Sequence, residues 1–219
     1  MIIVIHTFCL NHYGTILLSK LQKIKKTGLM DTVDKILIPV FNFRESDRLF
    51  FEGLIKLSPK IELVSIRNIK YNNEADTLNY LKNYIEEIEE NVKILYMHTK
   101  GVSRIEPTLK KNISVWNRYL DYYCIGQWKL ALEKLDSFDT VGPFSGTNHY
   151  SGNCYWINSH YIKSLPYISD ENYQHINRGE FWIGLNPKLT QYELNTVTFP
   201  GIDFYKDHYI PDNFFPEGF

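Results

Sequence analysis

Cysteine is scarce: Cys9, Cys124 and Cys154 are the three present, far apart and with no CxxC pair. An odd, scattered set argues against a disulfide framework and a cysteine-rich zinc site, and for a reducing compartment. An excess of charge of one sign is also missing, with 24 Lys and Arg against 25 Asp and Glu and a formal net charge of −1. A broad nucleic-acid footprint would show as a basic excess or stripe, so nucleic acid is not an expected partner. No apolar run approaches the ~18 residues of a membrane span. The start, MIIVIHTFCL, has no basic leader and turns polar at Asn11 and His12. It reads as a first strand and not as a signal peptide, and a soluble, cytoplasmic protein is expected. No Gly-rich triphosphate loop is evident, which disfavours a nucleotidyltransferase. Repeats, low-complexity segments and interdomain linkers are absent as well.

What is present is apolar and aromatic. Of 219 residues 44% are hydrophobic, with 16 Tyr, 13 Phe and 4 Trp. That is enough for a substantial core in one domain. Rings with a flat apolar face and, in Tyr and Trp, a polar edge suit sugar and base stacking, although they suit a plain core equally.

The first half alternates regularly. Apolar runs at residues 2–5, 35–41, 61–66 and 94–97 read as buried strands. Residues 15–26, 46–56 and 77–90 read as the helices between them, with Gly28 closing the first and Leu78, Leu81, Ile85 and Ile88 forming one face of the last. This β-α-β succession predicts an α/β fold, with a central, mostly parallel sheet flanked by helices. After Gly101 the pattern changes to a long helix over 115–135, strands over 139–143 and 150–158, and helices over 159–165 and 180–185. A Pro- and aromatic-rich tail follows from Thr196. Residues 1–219 thus read as one domain whose pattern changes after Gly101.

Polar clusters fall at the ends of these elements. ILYMHTKG runs a buried strand into His98, Thr99, Lys100 and Gly101. In an open parallel sheet, ligands bind in the crevice beyond the strands' carboxyl ends, so an imidazole, a hydroxyl, a cation and a glycine there suit a phosphate-bearing ligand. His6 and Thr7 end the first strand in the same way. Glu74-Ala75-Asp76 places two carboxylates where one divalent cation could be reached, although Asp76 is also well placed as a helix N-cap. HYSGNCYW alternates donors and rings around a glycine, as a sugar subsite requires: Ser151, Gly152, Asn153 and Trp156 are its candidates. Glu180, after Gly179, is placed to act as a general base or to favour a helix start through the dipole. Arg118 could face a diphosphate or an acidic neighbour, and His208 is a lone late imidazole.

Taken in order, ILYMHTKG, WNRYLDYY, HYSGNCYWINSHYIKSLP and RGEFWIG resemble the small glycosyltransferases of the GT-A fold found in bacteria and large DNA viruses. That set includes the glycosyltransferase domain of a chlorella virus capsid-glycan protein. The similarity spans nearly the whole chain and implies a single GT-A-like, Rossmann-related domain over 1–219, with a nucleotide-binding half at 1–101 and an acceptor half plus C-terminal tail at 102–219. It implies a UDP-sugar donor, a divalent metal (Mn²⁺ or Mg²⁺) and a glycan or glycoprotein acceptor, in the host cytoplasm if the source is viral. His6 and Thr7 would then face the uridine, and Glu74 and Asp76 would fill the Asp-x-Asp role, with His208 as a further metal ligand. His98, Thr99, Lys100, Gly101 and Arg118 would line the diphosphate and donor sugar. Ser151, Gly152, Asn153 and Trp156 would border the donor–acceptor gap, with Glu180 the catalytic base of an inverting displacement. Glu in place of the first Asp, and Phe181 after Glu180 in place of a second acid, depart from the pattern. A retaining transferase on the same fold and a non-catalytic glycan-binding module are the competing readings.

Overall fold

The computed structural model describes residues 1–66, 69–103, 106–195 and 215, the side chains of Thr108 and Arg178 excepted. In chain order the elements are β1 (Ile2–Phe8), α1 (Tyr13–Lys26), α2 (Leu29–Thr32), β2 (Lys35–Phe41), α3 (Arg48–Ile55), β3 (Ile61–Val64), α4 (Glu74–Glu86) and β4 (Lys93–His98). They continue with α5 (Pro107–Asp121), α6 (Trp128–Lys134), β5 (Thr140–Gly142), the short hairpin of β6 (Ser145–Gly146) and β7 (His149–Tyr150), β8 (Tyr155–Asn158), α7 (Ser159–Ser164), α8 (Asp170–Tyr173) and β9 (Gln191–Glu193).

Seven strands form one sheet in the order β3-β2-β1-β4-β8-β5-β9. All neighbouring pairs are parallel except those made by β8, which runs antiparallel to both β4 and β5. Strands buried on both faces need continuous apolar runs, and β1 and β4 supply them: Ile2–Ile5 and Ile94–Met97 are almost wholly buried. Alternate residues of these strands feed two cores. Ile3, Ile5, Leu95 and Met97 pack with α1, α3, α5 and α6, whereas Ile2, Val4, Ile94 and Tyr96 pack with α4 and α7.

Several boundaries differ from the sequence expectation, each for a local reason. α4 begins at Glu74 and not at Thr77, because Asn73 is the cap and its side chain accepts a hydrogen bond from the Ala75 amide. The long helix over 115–135 is two helices, α5 and α6, joined by a π-helical turn at Tyr122–Gly126. The strand expected over 150–158 breaks at Ser151–Asn153, where Gly152 and Asn153 adopt φ of 88° and 46° in the left-handed region. Glu180 lies between two 3-10 turns, Asn177–Gly179 and Trp182–Leu185, and not at the head of an α-helix. The tail from Thr196, His208 included, lies outside the described residues apart from Phe215. Among the described residues no helix is long and apolar enough to cross a membrane.

Candidate active site

A cleft of about 640 Å³ opens at the carboxyl ends of β1 and β4. Its lining comes from six separate stretches of chain: His6 and Phe8, residues 71–74, residues 98–103, Ile113, Asn153, and Tyr173 with Asn177 and Glu180. The parallel register explains the convergence. His6 of β1 lies directly beside His98 of β4, and Thr99 laces the two strand ends together. Its amide donates to the His6 carbonyl at 3.0 Å and its hydroxyl accepts from the Phe8 amide at 3.3 Å. Because side chains alternate along a strand, His6 faces the α4 side and Thr7 the other. Thr7 is fully buried and spends its hydroxyl on the Ile5 carbonyl, so it does not reach the cleft.

Both imidazoles are held neutral. Burial pushes His6 down to about 4 against the attraction of Glu74, and its Nδ1 lies 2.8 Å from the Thr77 hydroxyl on α4. Burial, reinforced by the Lys100 charge, pushes His98 down to about 3. The Gly152 carbonyl, 2.9 Å from His98 Nε2, can only accept, so this nitrogen carries the proton and Nδ1 is left as an acceptor. His98 Nδ1 lies 4.0 Å from Glu74, which also accepts from the Tyr96 hydroxyl at 2.8 Å. Burial drives the Glu74 carboxyl above its ordinary range, although His6, Tyr96 and Lys100 all favour its charge.

Asn153 completes the floor. The two left-handed residues of its turn tuck the side chain inward, where it is 3% exposed. It lies close enough to Glu74 to favour the carboxylate, yet neither amide atom makes a well-formed hydrogen bond. An orphaned buried amide facing a cleft is a ligand-ready donor and acceptor. Glu180 also lines the cleft, partly exposed, with one oxygen fixed by the Asn177 side-chain amide at 2.7 Å. Lys100 places its ammonium 4.2 Å from the Trp116 ring centre. A wall that the sequence did not signal is aromatic: Tyr71 stacks on Tyr173 at 4.2 Å, and Asn73 donates to the Tyr173 hydroxyl. Tyr71 comes from a turn and Tyr173 from the one-turn helix α8, too short to show a period.

Other expected site residues lie elsewhere. Trp156 is fully buried in the core, donating to the Cys124 carbonyl at 2.8 Å, and does not border the cleft. Arg118 lines a different cavity. Ser151 and Gly152 form the turn beside the cleft, with only the Gly152 carbonyl engaged through His98. Asp76 is 4% exposed, and its two oxygens accept the backbone amides of Lys70 and Tyr71. It lines a cavity shared with Asn79 and Tyr167, apart from the cleft that holds Glu74. The pair expected to hold a divalent cation therefore does not converge, and among the described residues no three His, Cys, Asp or Glu groups gather as metal donors.

No family model matches this chain, and no curated protein matches it. Solved structures of similar outline include the galactosyltransferase LgtC in complex with donor and acceptor sugar analogues, at 13% identity over 87% of this chain and 71% of that one, with a TM-score of 0.46. The mannosyltransferase PcManGT from Pyrobaculum calidifontis, in complex with GDP-Man and Mn²⁺, is 8% identical over 88% of this chain and 53% of its own, with a TM-score of 0.47. A 4-diphosphocytidyl-2C-methyl-D-erythritol synthase from Anaerococcus prevotii is 9% identical over 88% of each chain, with a TM-score of 0.45.

Proposed function

We propose that this chain is a glycosyltransferase that moves a sugar from a UDP-sugar to a glycan hydroxyl with inversion at the anomeric carbon. One observation carries the reading: five segments far apart in sequence deliver His6, Glu74, His98–Gly101, Asn153 and Glu180 to a single cleft at the carboxyl ends of parallel strands. The motifs that resemble small GT-A glycosyltransferases are the segments that supply most of these side chains.

In this reading the uridine occupies the end lined by His6 and Tyr71, and the diphosphate lies against the 98–101 turn. Neutral His98 offers an acceptor nitrogen without adding charge. Lys100 supplies the cation that opposes charge developing on the leaving UDP, a placement that acts most strongly inside a partly dehydrated cleft. Glu74 and Asn153 take hydroxyls of the donor sugar. At the rim, Glu180 accepts the proton of the incoming hydroxyl. That oxygen attacks the anomeric carbon as the bond to the diphosphate breaks, in one in-line displacement. No step is routed through a metal, because the Asp76 oxygens are already committed to backbone amides.

Replacing Glu180 by Gln keeps the shape and removes the base. Turnover is expected to fall ~10²–10⁴-fold, while UDP affinity measured by calorimetry stays as in the unaltered chain. Full turnover in Glu180→Gln would sink the base assignment. An unaltered chain that neither binds UDP nor consumes any UDP-sugar would sink the function.

A further inference from the structure

We propose that the groove between α1 and α5 is a second, anion-binding site, which holds the carboxylate of an acidic acceptor. The inference rests on the transferase reading for the word acceptor; the site itself rests on its own geometry.

The groove has a volume of about 300 Å³ and is walled by one polar stripe from each helix. On α1 the stripe is Thr15, Ser19 and Lys23, and on α5 it is Lys110, Ser114 and Arg118, each at one-turn spacing. These helices spend their other faces on the core, through Leu17 and Leu21 of α1 and Trp116 and Leu120 of α5. Their facing polar stripes thus form a cavity and not a packed seam. Among the described lining residues cations outnumber acids by three, Lys23, Lys110 and Arg118, to one, Asp121. That acid is already shared: Lys20 donates to one of its oxygens at 2.5 Å and Lys23 to the other at 2.7 Å. The Lys110 charge reaches across the groove to His12, which burial and that cation together hold below its ordinary pKa. In a chain of net charge −1, positive charge gathered among three hydroxyls fits an oxyanion.

The groove also abuts the active-site cleft. Gly101 and Ile113 line both, and Gly101, at φ 87°, presses so close that an added Cβ would stand 2.3 Å from Ile113 Cγ2. Asn117 of the groove donates to the Lys100 carbonyl at 3.1 Å. A ligand anchored by its acidic group in the groove therefore lies one residue's thickness from the turn assigned to the donor diphosphate.

Calorimetry on the full chain, saturated with UDP so that the main cleft is filled, tests this with inorganic phosphate, methyl glucuronide and methyl glucoside. Phosphate and methyl glucuronide are expected to bind with a salt-sensitive affinity and methyl glucoside not to bind. Lys110→Glu, on an exposed side chain, should weaken both anions at least tenfold with UDP affinity unchanged, and Arg118→Gln should act in the same direction. Binding of the anions that UDP displaces, or that Lys110→Glu leaves intact, would place them elsewhere and overturn the site. Phosphate binding without methyl glucuronide binding would make free phosphate the occupant and overturn the acceptor assignment. Anion binding in a chain that ignores UDP would leave the groove standing and remove the transferase reading, whereas UDP binding without either anion would do the reverse.

Discussion

His6 and His98 are far apart in sequence, yet they lie side by side across β1 and β4, and both are kept neutral by burial. The energetic consequence has a definite sign. A folded-state pKa near 4 or 3, against an ordinary value of 6.5, means that only the unfolded chain takes up these protons as pH falls below 6.5. Stability is therefore full above about pH 6.5 and is lost toward pH 4, by up to ~1.4 kcal/mol per imidazole for each pH unit. Glu74 works the other way, since its raised pKa makes protonation favour the folded state, and it offsets part of the loss. Denaturant midpoints should stay nearly level from pH 7.5 to 6.5 and fall from pH 6.5 to 5.5, and His6→Asn should fall less steeply than the unaltered chain. Equal slopes in the two proteins would contradict the assignment.

At the scale of elements, α1 and α5 are tied by Asp121 between Lys20 and Lys23, with Lys20 and Asp121 almost wholly buried. Asp121→Ala removes the one carboxylate and strands a buried ammonium, so a loss of ~3–5 kcal/mol is expected in equilibrium unfolding. Lys23→Ala, at a more exposed position, should cost far less. The elements themselves were mostly legible. The apolar runs and period-3.6 patterns of residues 1–98 give β1 to β4, α1, α3 and α4, though not the one-turn α2, because both faces of β1 and β4 are buried and read as unbroken apolar runs. What was not legible depends on direction and on loops. β8 is reversed, so its beginning and not its end lies at the cleft, which brings Asn153 to the floor and sends Trp156 into the core. Nothing in the local pattern announces that reversal. Asp76 carries the same lesson: spacing marks it as chemically apt, while the 70–71 backbone turns out to hold both its oxygens. Glu180 and Tyr71 lie on turns, and Tyr173 on the one-turn helix α8, whose placement is set by distant packing.

For the whole molecule, the two cores on either side of one sheet make the cleft a rigid recess at a strand-end crevice, and a ligand that fills it should raise global stability. UDP-sugars are expected to raise the thermal midpoint with the logarithm of their excess over Kd, about 2.7 kcal/mol of stabilisation at a hundredfold excess. Proton NMR of the first product formed should show an anomeric configuration opposite to that of the donor; retained configuration would leave Glu180 only an orienting part.

The borders of the sheet have a consequence of their own. β3 has four residues and β9 three, and the outer strand β3 carries Glu62, paired with Lys35 at 2.9 Å. An outermost strand so short, with a carboxylate on it, offers a poor template to a strand from another molecule. Such borders protect the chain from edge-to-edge aggregation at high concentration, and removing the Glu62 charge is where that protection would first weaken.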